Sequence, residues 1–396
     1  MNRILSSPFS SPFRMLCACG FLAILSTTMA KNPALPLFAQ HLGAGSFGIG
    51  LVSALSPLAG VLVSIPGGLL SDRIGRRTML FVSALVFASA PFAYLFVSGV
   101  WSLGLARFYH GLATGVFMPV AQAAVADAHS EAKGEKLGTF SAATLAGRFL
   151  APMLGGGILW IGALATTRFG FLAVYVACGL AGIGVLLLAW RLPQFEDHQP
   201  ETKERPAILA SLRSLAANRS ILSGCVLEAG ILFAYGTFEA FLPIVAQTRG
   251  LAAWVTGTLF SVQIVTVALT KPLFGRFSDR YGRVGQMLGG GAVMALALAA
   301  IPWVHGLPGL FALSVVLGLA LSIATAATSA YVADLARQHE RGAAMGLMGS
   351  IMDIGHSTGP LAAGAVAVLL GPAGAFATGA LVLLTCAYWV FRARRD

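Results

Sequence analysis

Charge is what this sequence has least of: Asp, Glu, Lys and Arg fill only 10% of its 396 positions, against about a quarter in soluble globular chains. So few charges cannot cover the surface of two or three soluble domains, and only 191–219 reads as a long polar stretch. The five cysteines (Cys17, Cys19, Cys178, Cys225 and Cys386) lie in apolar stretches. Odd in number and without CxxC or Cys/His spacing, they read as packing residues rather than a disulfide framework or a metal site. No G-x-x-x-x-G-K-[ST] run occurs, so no ATP phosphate loop is expected, and no cofactor is expected either. An intramembrane enzyme would want H-E-x-x-H, paired aspartates or a Ser/His set, and none is present. A receptor's soluble output domain would find no length to occupy. The net charge of +11 comes without basic runs interleaved with aromatics, which argues against a nucleic-acid partner.

Apolar residues, by contrast, make up 57% of the chain, and mean hydropathy is +0.81. At about 20 apolar residues per membrane span, the length supplies roughly a dozen helices. Windows bounded by charge or Gly/Pro clusters fall at 14–39, 47–70, 78–98, 101–127, 136–160 and 169–190. A second set falls at 220–247, 253–275, 284–304, 308–335, 342–367 and 372–392. The polar stretch carries Glu196, Asp197, Glu201, Lys203, Glu204, Arg205, Arg213 and Arg219. It divides the chain into a six-helix unit at 1–190, a linker at 191–219 and a second six-helix unit at 220–396. Alternating loop assignment collects most basic residues on the side holding both termini and the linker, leaving Arg168 and Arg249 opposite. By the positive-inside rule both termini are then cytoplasmic, as the even helix count independently requires. Arg3, Arg14, the apolar stretch Met15–Leu25 and Thr28-Met29-Ala30 imitate a cleavable signal peptide.

The halves repeat each other. Pro36, Gln40, Ser71-Asp72-Arg73, Gly75-Arg76 and Val125-Ala126-Asp127 recur as Pro243, Gln247, Ser278-Asp279-Arg280, Gly282-Arg283 and Val332-Ala333-Asp334, at an offset of 207. With one gap, Gly147, Pro152 and Gly156 match Gly355, Pro360 and Gly364. Internal repeats of this kind mark many transporter folds. Because Pro36 has its partner inside the second half, the first helix is expected to be retained rather than cleaved.

The segment Gly68-Leu69-Leu70-Ser71-Asp72-Arg73-Ile74-Gly75-Arg76-Arg77 resembles the signature loop of the major facilitator superfamily, G-x-L-A-D-R-x-G-R-[RK]. A second copy, Gly275 to Arg283 with Asp279, Arg280 and Gly282, sits after the eighth helix and departs at Phe277 and Val284. The resemblance implies an all-α membrane protein of twelve transmembrane helices in two pseudo-symmetric six-helix bundles. It also implies that these loops gate the cytoplasmic side when the cavity opens outward. Physically, Gly68 would let helices approach closely, and Asp72 is a fixed negative charge able to face a helix N-terminus or an arginine. Arg107-Phe108-Tyr109-His110-Gly111 with Gly115 resembles the family's R-x-x-x-G-x-x-x-G helix. Gly147-Arg148-Phe149-Leu150-Ala151-Pro152-Met153-Leu154-Gly155-Gly156 is similar to the G-x-x-x-G-P-x-x-G-G signature of drug/proton antiporters, with Ala151 replacing a glycine. That signature implies export; as bare residues, its small side chains also suit a tight helix interface.

Mechanism should rest on the ionisable residues inside the spans: Lys31, Arg107, Arg148, Glu228, Glu239, Lys271 and Asp353, with His110 and His356. Facing lipid at ~3 kcal/mol each, the charges would cost on the order of 20 kcal/mol, more than a typical fold's whole stability. They must face a cavity or one another. Helices 1, 4, 7 and 10 line the central path in the fold the resemblance implies. The expected cavity set is Lys31, Asn32, Arg107, His110, Arg148, Tyr235 and Glu239. Glu228 and Glu239 are spaced about three turns apart, on one stripe with Tyr235. Helix 10 offers only small hydroxyls such as Ser322 and Thr325 and should be a close-packed wall. Glu228, Glu239, Asp353 and His356 are the candidates for coupling proton entry to substrate exit. Many antiporters that take cations carry an acid in the first helix, where this chain has Lys31, so a purely cationic substrate is disfavoured. The expectation is a monomeric proton-coupled exporter of small amphipathic or anionic molecules in a bacterial inner membrane. The alternative is uptake or exchange of organic anions.

Overall fold

The computed structural model describes residues 11–129, 131–194, 213–337 and 340–393. Arg3 and the linker charges Glu196, Asp197, Glu201, Lys203, Glu204 and Arg205 lie outside the described residues. The described residues fold into long helices joined by short connections, as they must where lipid offers no backbone hydrogen bonds. The first half holds α1 (Pro12–His41, interrupted at Asn32 and Pro33), α2 (Ser46–Ile74), α3 (Arg76–Ala93), α4 (Val100–Ala128), α5 (Lys133–Ala163) and α6 (Thr167–Trp190). In the second half come α7 (Arg219–Thr248), α8 (Ala253–Tyr281), α9 (Arg283–Ala300) and α10 (Leu307–Leu335). The last stretch, Arg341–Ala393, is broken at Gly371, where φ is +64°, into α11 (341–370) and α12 (372–393). Among the described residues, eleven continuous segments are long and apolar enough to cross a membrane, and the 50-residue last one crosses twice once divided at Gly371. This is the twelve-span count expected from the windows.

Local chemistry sets the helix starts. The Thr166 hydroxyl accepts from the Phe169 amide at 3.1 Å, and the Asn218 side chain accepts from the amides of Ser220 and Ile221, capping α6 and α7. Outward-pointing Leu180, Leu369, Trp101, Trp190 and Trp303 are exposed, as lipid-facing and interfacial side chains should be.

The sequence repeat is a repeat of packing. In the first half α1 packs on α5 and α6, α2 on α4, and α3 on α4 and α6; in the second α7 packs on α11 and α12, α8 on α10, and α9 on α10 and α12. Between the halves, α2 packs on α11 and α5 on α8.

The signature segments correct one expectation. They are not loops: Gly68 to Ile74 continues α2, and a single residue, Gly75, separates it from α3, as Gly282 separates α8 from α9. Gly75 has φ +92°, ψ 143° and Gly282 φ +94°, ψ 147°, a region open essentially to glycine alone. Gly75→Ala and Gly282→Ala should therefore each destabilise the fold by ~1–3 kcal/mol, read as a lower unfolding temperature in detergent. Gly68 does not serve close packing here, since a Cβ on it would meet nothing within 4 Å, and neither would one on Gly275. The neighbouring Gly67 is the one that faces a helix, with Val116 of α4 3.1 Å from its would-be Cβ. One residue is about 100° of helix rotation, enough to turn Gly68 away.

Candidate functional site

At both signature segments one arginine gathers three partners. Arg76 pairs with Asp72, donates to the Ser71 hydroxyl at 2.5 Å and reaches Asp127 at the end of α4 at 3.2 Å. Arg283 repeats this with Asp279 at 2.5 Å, Ser278 at 3.1 Å and Asp334 at 3.0 Å. These bonds tie α3 to α2 and α4, and α9 to α8 and α10, within each half. Arg73 and Arg280 are exposed, the latter lying over the Tyr281 ring.

At the opposite end the halves touch backbone to backbone, twice, in equivalent ways. A Cβ on Gly50 of α2 would lie 2.1 Å from the Pro360 carbonyl oxygen of α11, and one on Gly257 of α8 would lie 2.0 Å from the Pro152 carbonyl oxygen of α5. One turn away, Gly364 meets the Ser46 carbonyl and Gly156 the Ala253 carbonyl. The Ser261 hydroxyl adds a bond from α8 to the Phe149 carbonyl of α5 at 2.7 Å. The antiporter-like helix thus has two packed faces: Gly147 and Gly155 against Phe21 and Met29 of α1, Pro152 and Gly156 against α8. Gly50 and Gly257 were not singled out in the sequence, although they too are 207 apart, and that shared offset was the signal available.

Between the seals and the signature end lies a cavity of about 410 Å³, room for a small organic molecule. Its lining runs from Lys31 and Glu239 near the seals to Ser64 of α2 and Met118 of α4 toward the signature end. Near the seals, Lys31 donates to Glu239 Oε2 at 2.5 Å, Asn32 Nδ2 donates to Oε1 at 2.7 Å, and His356 Nε2 lies 2.8 Å from Oε2. Three elements, α1, α7 and α11, thereby converge on one carboxylate that joins the two halves. Breaking such a buried pair from one side costs on the order of 3–5 kcal/mol, because the partner charge is stranded.

Arg107, Arg148, Tyr235 and Asp353 also line this cavity. The Tyr235 hydroxyl donates to Gln263 of α8 at 3.4 Å, and its ring stands 6.0 Å from the His356 ring. Arg107 is only 2% exposed, yet neither its Nε nor its Nη1 has a hydrogen-bonding partner among the described residues. A buried, unsatisfied guanidinium is costly to a fold and asks what it is kept for.

Three expected site residues are placed differently, the first being Asn32, which lies buried against Glu239 and outside the lining of this cavity. His110 is fully buried behind the wall, edge-on to Phe87 and Tyr94, because it points away from the face that Arg107, Gly111 and Thr114 present to the cavity. Glu228 does not line the cavity either; the Thr328 hydroxyl of α10 bonds to it and closes over that end of the stripe. No α10 residue lines the cavity, whose remaining wall comes from α2, α5, α8 and α11. Ser322 and Thr325 are buried within the second half.

Comparison with known proteins accords with this architecture. A family model described as Major Facilitator Superfamily matches residues 16–265 and 231–396. The chain is 29% identical, over 379 residues covering 92% of it and 90% of its relative, to the multidrug resistance protein MdtG of Citrobacter koseri. It is 23% identical to an uncharacterized MFS-type transporter of Methanocaldococcus jannaschii, over 93% of this chain and 92% of that one. Among solved structures, a bacterial homologue of the human lysosomal transporter Spinster superposes with a TM-score of 0.81 at 17% identity, covering 99% of this chain and 98% of the other. The two matches of the family model span both halves of the described fold, and the chain belongs to the Major Facilitator Superfamily, multi-pass membrane transporters that work by alternating access.

Proposed function

We propose that this chain is a proton-coupled exporter of small amphipathic or anionic organic molecules, acting as a monomer in a bacterial inner membrane. Its units are the bundles 1–190 and 220–396, joined by a cytoplasmic linker at 191–219, with both termini and the signature segments on the cytoplasmic side. The structure then has its cavity open to the cytoplasm and its periplasmic end sealed. The observation that carries this reading is the Lys31–Glu239–His356 cluster, where a titratable carboxylate bridges the halves beside the seals. A proton on Glu239 removes the charge that holds Lys31 and loosens that bridge, so protonation and rearrangement of the halves are linked. Export is supported by the antiporter-like helix and by relatives whose name is multidrug resistance protein.

A second reading, uptake or exchange of organic anions, is favoured by the three cations that the first half presents to the cavity, Lys31, Arg107 and Arg148. The test compares proteoliposomes holding wild-type protein, Glu239→Gln, Asp353→Asn or Glu228→Gln. Loss of transport driven by a pH gradient is expected for Glu239→Gln or Asp353→Asn. Retained coupling in all three variants overturns the proton-coupled reading, and inward accumulation driven by the same gradient favours the second.

A further inference from the structure

The charges of the cavity are segregated by half, and they are not all matched. Lys31, Arg107 and Arg148 come from α1, α4 and α5; Glu239 and Asp353 come from α7 and α11. Glu239 is saturated by Lys31, Asn32 and His356. Once that cluster is set aside, the charged side chains of the lining without an ion-pair partner among the described residues are Arg107 and Arg148 on one wall and Asp353 on the other. Arg148 is exposed to the cavity and Arg107 is almost wholly buried with two orphaned guanidinium nitrogens. The apolar remainder of the lining includes Ile24, Leu232 and Ile264.

We infer that the cavity binds a zwitterion with an apolar body, its oxoanion on Arg107 and Arg148 and its ammonium on Asp353. The planar fork of a guanidinium is the geometry that recognises carboxylates and phosphates. A single carboxylate across a mostly apolar cavity is suited to one amine, and a ligand carrying both charges satisfies the two walls together. Such a ligand bridges the first half and the second, so its presence or absence bears on how the halves sit. It also accounts for exchange against protons: a proton taken by Asp353 removes the partner of the ammonium, while Lys31, Arg107, Arg148, Tyr235, Glu239 and His356 face the same space. This assignment deepens the export reading and rests on it for the identity of the cavity as the transport site.

Three probes share one fluorophore: dansylglycine bears only the carboxylate, dansylcadaverine only the ammonium, and Nε-dansyl-lysine both. Binding to the purified protein in detergent is expected to be at least about tenfold tighter for Nε-dansyl-lysine than for either other probe, the scale of one charge-assisted contact. Arg107→Gln should remove the advantage of Nε-dansyl-lysine over dansylcadaverine, and Asp353→Asn its advantage over dansylglycine. Arg107→Gln should also keep or raise the unfolding temperature of the empty protein, since it removes an unsatisfied buried charge; a merely structural arginine would lower it when lost. Dansylcadaverine binding as tightly as Nε-dansyl-lysine, or both variants keeping the wild-type ranking, overturns the assignment. The preference is measured without flux. Intact preference with no transport therefore counts against the export reading alone, and transport of dansylcadaverine without the preference counts against the zwitterion alone.

Discussion

Gly257→Val is expected to reduce transport by about 10- to 100-fold while leaving the protein folded, because forced overpacking costs ~1–3 kcal/mol and each 1.4 kcal/mol is tenfold in a population. A Cβ at Gly257 would fall 2.0 Å from a carbonyl oxygen of α5. Backbone cannot yield there as the end of a flexible side chain can, so α5 and α8 must separate and the sealed end opens. Only the state sealed at that end is penalised, and a transporter that cannot revisit one of its two states does not cycle. Gly50→Val should act alike through α2 and α11, since its would-be Cβ meets the Pro360 carbonyl oxygen. Gly157→Ala, beside the same motif but with nothing within 4 Å of its would-be Cβ, is the matched control with wild-type flux. A Ser56→Cys reporter in the cavity wall makes the shift visible. Its labelling by an impermeant maleimide should move from the signature side in the parent to the sealed side in Gly257→Val, and labelling unchanged in sidedness would show that the glycine contact is not the seal.

The second large effect is expected at the bridge between the halves. Lys31→Gln leaves the Glu239 carboxylate with only Asn32 and His356, and Glu239→Gln leaves the Lys31 ammonium stranded beside His356. Each single variant should destabilise this state by ~3–5 kcal/mol, the cost of uncompensating a buried charge. The double variant Lys31→Gln/Glu239→Gln buries two neutral amides instead and should recover most of the unfolding temperature. It should not recover transport driven by a pH gradient. Recovery of both would make the pair a structural tie with no part in coupling; recovery of neither would mean that its charges are not the interacting groups.

Much of this was legible in the sequence, for identifiable reasons. Span count and repeat were readable because a lipid environment enforces about 20 apolar residues per helix and because both halves meet the same packing demands. The matched bonds of Arg76 and Arg283 show the repeat persisting to single side chains. Lys31, Glu239 and His356 could be nominated because no ionisable group is tolerated facing lipid, but their convergence on one carboxylate could not, since three helices distant in sequence supply it. His110 and Glu228 were misplaced for a related reason. Helical spacing assigns a face, and whether that face is cavity or core depends on the helix packed over it: Phe87 and Tyr94 cover His110, and Thr328 covers Glu228. Gly68 failed likewise, because one residue of rotation separates a glycine that touches α4 from one that touches nothing.

The central claim is exchange of substrate against protons, and it is most directly tested by following both at once. Proteoliposomes preloaded with Nε-dansyl-lysine and a trapped pH dye, with no initial pH gradient, are diluted into probe-free buffer. The account predicts protein-dependent probe efflux accompanied by acidification of the lumen, with the double variant Lys31→Gln/Glu239→Gln keeping the efflux and losing the acidification. Efflux with an unchanged or rising lumenal pH, or no protein-dependent efflux at all, would contradict it.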